Sequence, residues 1–155
     1  MIKRIYLIIS LIFLFGFGAN FIWEKMHIVL YQNYESYANA LVFPVSLHAS
    51  FIDAIIIFGI YFCIALLQRN IFWLDSFNPK SVFLVLLLGF IISVLIEVDA
   101  LAKGKWAYNN LMPIIPFIRI GLSPVLQMLI LPLIVFSAVK KTLPFMSISK
   151  KSNKT

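Results

Sequence analysis

Charged residues and cysteine are both scarce in this chain. Of 155 residues only 12% are charged, with 6 Asp and Glu against 13 Lys and Arg, whereas a soluble domain carries about 25% charged residues. The single cysteine, Cys63, lies inside an apolar run, which excludes an intramolecular disulfide and a cysteine-based metal site. A glycine-rich loop is also missing, so the sequence offers no cradle for the phosphates of a nucleotide.

Apolar residues dominate instead. They make up 62% of the chain, and the mean hydropathy is +0.98. Four apolar stretches, at about 5–25, 47–67, 82–102 and 121–139, are each close to the roughly 20 residues that a membrane-spanning helix needs. The sequence therefore predicts an all-α, polytopic integral membrane protein. We expect one four-helix transmembrane bundle over residues 1–139, followed by a basic cytoplasmic tail over residues 140–155.

The distribution of basic residues predicts the orientation. Nine Lys and Arg fall at the N-terminus, in the second connection and in the tail, and four fall in the first and third connections. Because Lys and Arg are enriched on the cytoplasmic side, both termini should be cytoplasmic, as in a multi-pass protein of a cell inner membrane. An alternative for the first apolar run is a cleaved signal peptide, with a basic start at Lys3 and Arg4 and small residues at Gly16 and Gly18.

Polar residues gather where the first apolar run ends. Asn20, Trp23, Glu24 and His27 are spaced i, i+3, i+4 and i+7, which places them on one face if the helix continues. An amide, an indole, a carboxyl and an imidazole would then line one wall at the end of a membrane helix.

The other helices contribute polar groups to the same predicted level. His48 and Asp53 lie near the start of the second helix, Glu97 near the end of the third and Gln127 in the first turns of the fourth. Asp53 lies roughly 9 Å inside from Leu47 at about 1.5 Å per residue, and a charged group at that depth costs about 2.5 kcal/mol or more unless it is paired, protonated or wetted. Glu24, His27 and Glu97 are nearer the interface, where this cost is smaller. We therefore predict a polar, protonatable pocket on the outer-leaflet side. The expected proton-transfer (catalytic) residues are Glu24, Asp53 and Glu97, and the expected substrate-binding residues are Asn20, Trp23, His27, His48, Lys105, Trp106, Tyr108, Arg119 and Gln127.

Other interpretations of these residues stay open. They could be interhelical hydrogen bonds that hold an apolar bundle together. A metal is conceivable, but Glu24-x-x-His27 is the one ligand-like spacing, so no cofactor is predicted. Ser123, which we interpret as an N-cap before Pro124, is one of several serines near the outer end, yet no nucleophile-elbow pattern surrounds it.

Three functions are compatible with this reading. The leading one is the binding of a lipid or small amphiphile, with acid–base chemistry in the pocket. The second is a proton or cation transport or channel subunit, and the third is an accessory or assembly subunit of a membrane complex. The expected partners are membrane lipids and either another membrane protein or a second copy. Nucleic acid is not expected, because the Lys and Arg residues lie at the ends of apolar runs, where anionic lipid headgroups are their expected partners.

A set of motifs extends over most of the chain. It comprises Asn20-x-x-Trp23-Glu24, Leu30-Tyr31, His48, Asp53, Glu97, Gly104-Lys105-Trp106-x-Tyr108, Met112-Pro113 and Gly121-Leu122-Ser123-Pro124-x-x-Gln127. In this combination the chain resembles uncharacterised small four-helix inner-membrane proteins of bacteria. The resemblance implies an envelope location and no particular reaction. At the level of the fold alone, a small bundle with an acidic and aromatic pocket is similar to membrane isomerases that act on sterol-like lipids.

Overall fold

The computed structural model describes residues 1–32 and 42–152 and is mostly helical. The long helices are α1 (Ile2–His27), α2 (Val42–Leu67), α3 (Pro79–Ala102) and α4 (Leu122–Ser152). Short 3-10 turns cover Ile28–Leu30 and Trp73–Ser76, and the strands β1 (Ile114–Ile115) and β2 (Ile120–Gly121) form an antiparallel pair. All four long helices are long and apolar enough to cross a membrane, which confirms the prediction of four candidate spans.

Two helices differ from their predicted bounds. α2 begins at Val42 instead of residue 47, because Pro44 falls in the first turn, where a helix needs no backbone N–H donor. α4 does not end at residue 139 but continues to Ser152, through the region expected to be a tail. Lysine is a good helix former, so the drop in hydropathy at Lys140 marks the end of the apolar stretch and not the end of the helix. The last three residues of the expected tail lie outside the described part.

The bundle has two distinct ends. We call one the termini end, where α1 begins and the turn Trp73–Ser76 connects α2 to α3. There Arg4 lies over the ring of Phe72 at 4.9 Å and pairs with Asp75 at 2.6 Å between Nη2 and Oδ1. We call the other the loop end, formed by Ile28–Leu30 and by residues 103–121 between α3 and α4.

An apolar core fills the bundle toward the termini end. Trp73 is fully buried, donates from its indole N–H to the backbone carbonyl of Tyr61 at 3.1 Å, and meets the ring of Phe136 edge-on at 5.3 Å. The surrounding buried side chains are aliphatic, among them Ile8, Ile12, Ile57, Ile64 and Val135.

Near the middle of α3, this helix and α4 come into backbone contact at Gly89. A Cβ at this position would lie only 2.2 Å from the carbonyl oxygen of Met128, a separation that real Cβ atoms do not show. Because Gly89 has no side chain, α3 and α4 can approach each other closely at this point. Ser93 and Glu97 follow on the same face of α3, one and two turns further along the helix.

Backbone hydrogen bonds attach the α3–α4 connection to the end of α1. Tyr31 and Tyr108 form an antiparallel bridge, flanked by a bond of 2.8 Å from Gln32 N–H to the Ala107 carbonyl. The side chain of Asn109 adds a bond of 2.7 Å to the Val29 carbonyl. These bonds hold the aromatic residues of the connection over the loop end of the bundle.

Candidate functional site

Gln127 is the centre of a hydrogen-bond network between three helices. Its Nε2 atom lies 2.9 Å from Oδ1 of Asn20, 3.0 Å from Oε1 of Glu24 and 2.9 Å from Oδ2 of Asp53. Asn20 is fully buried and uses its own amide group to donate to the Gly16 carbonyl at 2.8 Å. One amide of α4 therefore brings two carboxyl groups, from α1 and α2, next to each other.

His27 extends this network toward the start of α4. Its Nε2 atom lies 3.1 Å from Oε1 of Glu24, and its Nδ1 atom lies 3.1 Å from Oγ of Ser123. Both ring nitrogens are therefore engaged, and the buried imidazole is held in one orientation between a carboxyl and a hydroxyl group. Since α4 begins at Leu122, Ser123 lies inside the helix, and its expected role as an N-cap is wrong.

Glu97 brings the third carboxyl group to this region from α3. It is buried, with 3% of its surface exposed, and its Oε2 atom accepts hydrogen bonds from the Tyr108 hydroxyl and, at 3.3 Å, from the Trp106 indole. Asp99, two residues later, points away and pairs with Lys103 and Lys105 at 2.5 and 2.9 Å. As the spacing indicates, only one of these two acidic residues faces the interior.

These groups surround a cavity of about 840 Å³ at the loop end. All four helices and the α3–α4 connection contribute to its wall. The lining residues with polar or aromatic side chains are Glu24, His27, Tyr31, Gln32, His48, Asp53, Glu97, Lys105, Trp106 and Gln127. Apolar residues, among them Pro44, Val45, Ile96 and Met128, complete the wall. The wall of the cavity therefore combines polar and apolar side chains. Such a wall suits an amphiphilic molecule, which has a polar and an apolar part.

Two tyrosines beyond the membrane-spanning segments lie close to the carboxyl groups. Burial raises the pKa of the Tyr31 phenol, and the nearby Glu97 and Glu24 raise it further. Burial also raises the pKa of Tyr108, and the hydrogen bond that it donates to Glu97 acts in the same direction. Both phenols therefore keep their protons at neutral pH, and that of Tyr108 acts as a neutral hydrogen-bond donor to Glu97.

The structure brings most of the predicted site residues together. The lining set contains Glu24, His27, His48, Asp53, Glu97, Lys105, Trp106 and Gln127. Asn20 and Tyr108 do not line the cavity but hold residues that do, through their hydrogen bonds to Gln127 and Glu97. His48 and Asp53 are five residues apart on α2, and both line the cavity.

Trp23 and Arg119 are not part of the cavity wall. The ring of Trp23 packs against the apolar core, and its indole N–H meets no acceptor within the described part of the chain. Arg119 is exposed and adopts a left-handed φ of 52° between β1 and β2. Arg119 is absent from the residues that line the cavity, so its expected substrate-binding role stays a prediction.

Tyr31 and Ser123 are site residues that the sequence reasoning did not assign. Tyr31 follows His27 by four residues, and the two rings lie 5.4 Å apart, nearly perpendicular. The i, i+4 spacing is a signal that could have found it. For Ser123 no local signal exists, because its partner His27 lies 96 residues earlier.

No protein-family model matches the chain, and no curated protein or solved structure is significantly similar to it. Among the described residues, no group of three or more His, Cys, Asp and Glu side chains is arranged to hold a metal ion.

Proposed function

We propose that the cavity binds a membrane lipid or another small amphiphile and that Glu24, Asp53 and Glu97 exchange protons with it. The observation that carries this proposal is the convergence of Glu24 and Asp53 on the single amide of Gln127 beside a cavity. The volume of about 840 Å³ lies within the usual range of small-molecule sites, about 300–1,000 Å³.

The hydrogen-bond count at Gln127 supports a shared proton. An amide NH₂ group has two hydrogens, but Nε2 faces three acceptor oxygens, of which two belong to carboxyl groups. Two ionised carboxylates so close together and away from water are strongly disfavoured. A proton on either Glu24 or Asp53 supplies the third donor and removes one charge, and such a proton can be passed to or taken from a bound ligand.

His27 and Ser123 have supporting roles in this proposal. The imidazole lines the cavity beside Glu24 and connects that carboxyl to the hydroxyl of Ser123. Ser123 itself does not line the cavity. We therefore assign Ser123 to positioning His27 and not to nucleophilic attack.

The distribution of apolar and polar side chains favours binding over transport. A proton or cation path across the membrane needs polar groups along its length, whereas the described buried side chains toward the termini end form an apolar cluster around Trp73 and Phe136, with Ser81 and its partner Gln68 as the polar exception. The polar groups of the site belong to the loop end. A ligand that enters there from the lipid or the water could react and leave by the same route.

Orientation and location are part of the proposal. With nine basic residues at the termini end and four at the loop end, the positive-inside rule supports an outer-leaflet position for the cavity, and we propose a cell inner membrane as its location. An amphiphile of that leaflet is then the ligand that reaches the cavity most directly.

The proposal is tested with the isosteric variants Asp53→Asn and Glu97→Gln. Each is purified in a mild maltoside detergent beside wild type, and lipids retained by the protein are identified by mass spectrometry. We expect both variants to accumulate normally and to lose the retained amphiphile. Asp75→Asn, which changes an exposed carboxyl at the termini end, is the control and should retain it. Variants that fail to accumulate, together with a wild-type protein free of any amphiphile, would show that the carboxyl groups only hold the bundle together.

A further inference from the structure

We propose that the ligand presents an organic ammonium group to the interior of this cavity. The proposal deepens the function proposed above and rests on it, since it names the polar group of the amphiphile. Three features support it: the charge of the lining, the arrangement of two aromatic rings and a carboxylate oxygen without a protein donor.

The charges that line the cavity are unbalanced. Three carboxyl groups, from Glu24, Asp53 and Glu97, face one ammonium group, that of Lys105. Lys105 is half-exposed and already pairs with Asp99 outside the cavity, so it does not neutralise the interior. If Glu24 and Asp53 share one proton, two negative charges remain in the interior of the cavity, and they favour a positively charged ligand. The other titratable groups of the lining are the imidazoles of His27 and His48 and the phenol of Tyr31.

Two aromatic rings form a corner in the same wall. Tyr31 and Trp106 both line the cavity, with ring centroids 6.3 Å apart and planes at 89°. Tyr108 stands behind them, 5.7 Å from Tyr31. Perpendicular rings beside carboxylates form the type of site that binds alkylated ammonium groups, because the ring faces attract a cation that is too bulky and too weakly hydrated for close ion pairing. The rings are neutral, and the indole N–H of Trp106 donates a hydrogen bond to Glu97, which holds this ring beside the carboxyl group.

Glu97 offers the ligand a hydrogen-bond acceptor. Both hydrogen bonds to this buried carboxyl, from Tyr108 and Trp106, end on Oε2. Among the described residues no donor contacts Oε1, and this atom is not one of the fully buried polar atoms that lack a partner. Because Glu97 lines the cavity, Oε1 is the oxygen that a cationic N–H group, or the charged methyl groups of an alkylated ammonium, can approach.

The test compares ligands that differ in charge but hardly in shape. Full-length protein in maltoside micelles is titrated calorimetrically with choline and with 3,3-dimethylbutan-1-ol, its uncharged carbon isostere. A second pair, dihexanoylphosphatidylcholine and dihexanoylphosphatidylglycerol, carries the comparison to lipids below their micellar concentrations. We expect the ammonium-bearing member of a pair to bind at least about tenfold more tightly, because the aromatic faces and the carboxyl groups attract its positive charge.

The two pairs also identify the source of the ammonium group. A preference within the choline pair alone indicates that the ligand is a small soluble ammonium compound. A preference within the lipid pair, alone or together with the first, indicates that the ammonium group belongs to a lipid headgroup. Trp106→Leu should abolish the preference, whereas Tyr6→Leu, at an exposed ring near the termini end, should leave it unchanged.

Equal affinities within both pairs would overturn the ammonium proposal and leave amphiphile binding intact. If none of the four compounds binds and wild-type protein also retains no lipid on purification, both proposals fail. If none of the four binds but a lipid without an ammonium group is retained, the ammonium proposal alone is overturned.

Discussion

Nε2 of Gln127 in α4 lies 2.9 Å from Oδ2 of Asp53 in α2, so a hydrogen bond connects two helices whose polar residues are 74 positions apart in sequence. The same nitrogen also faces Asn20 and Glu24 of α1. In a bundle whose other buried contacts are mostly apolar, this amide determines how α1, α2 and α4 are aligned at the loop end. It is the residue whose removal should change both the stability of the fold and the site.

Replacing Gln127 by Met should destabilise the protein by about 2 kcal/mol, because a buried acceptor left without its donor costs about 1–3 kcal/mol. Methionine keeps the length of the side chain and removes the donors. Gln68→Met is the matched control, since Gln68 makes one hydrogen bond, to Ser81 at 3.1 Å, outside the site. Thermal unfolding in detergent should give a larger decrease for Gln127→Met, and equal decreases would show that the three acceptors do not depend on Gln127.

Gly89→Ala should destabilise the bundle by about 1–3 kcal/mol through overpacking. The added methyl group would meet the backbone carbonyl of Met128 at 2.2 Å, and backbone cannot rotate away as a side chain can. Gly59→Ala is the control, because a Cβ there has no heavy atom within 4 Å, and its higher helix propensity should stabilise the protein by about 0.5–1 kcal/mol. Opposite signs in thermal unfolding are expected, and two neutral variants would contradict the close contact between α3 and α4.

The fold was predictable from the sequence because one physical quantity determines it. About 20 consecutive apolar residues have few alternatives to a membrane-spanning helix, and the structure has four helices of that kind. The helix ends were harder to predict. Hydropathy reports where the apolar stretch ends, whereas α4 continues past Lys140 because lysine supports a helix in water as well.

The candidate site was predictable only where helical periodicity applies. Asn20, Glu24 and His27 do share a face that meets α4, and Glu97 and Asp99 do point apart. Trp23 has nearly the same angular position, but its large ring packs on the apolar core. The position of Arg119 depends on how the loop residues 103–121 fold, and no periodicity describes a loop. The i, i+4 spacing from His27 indicates Tyr31, but its place beside that loop follows from the backbone bridge between Tyr31 and Tyr108.

Tyr108→Phe should reduce the loss of stability at alkaline pH. The pKa of Tyr108 is raised by burial and by Glu97, so the folded protein holds this proton more tightly than the unfolded chain does. The contribution of Tyr108 to the free energy of unfolding is therefore fully present below the ordinary tyrosine pKa of 10.0, and it is lost as the pH rises above that value. Without the hydroxyl, the free energy of unfolding should be lower at pH 7 but should fall less between about pH 9 and pH 11.

The matched control for this prediction is Tyr6→Phe, which removes a hydroxyl from an exposed ring of α1. Its free energy of unfolding should follow the pH dependence of wild type. Parallel curves for wild type and Tyr108→Phe across the alkaline range would contradict the hydrogen bond between Tyr108 and Glu97.

The orientation of the bundle determines which compartment supplies the ligand, and cysteine labelling tests it. In a Cys63→Ala background, Lys103→Cys places a thiol at the loop end and Lys80→Cys places one at the start of α3, at the termini end; both positions are exposed. Asp99 keeps Lys105 as a partner when Lys103 is replaced, and exposed ion pairs contribute about 0–1 kcal/mol, so the fold should tolerate the change.

Because the basic residues concentrate at the termini end, a membrane-impermeant maleimide should label Lys103→Cys in intact spheroplasts and Lys80→Cys only after lysis. The reverse pattern would place the three carboxyl groups on the cytoplasmic side, and the ligand would then have to come from the inner leaflet.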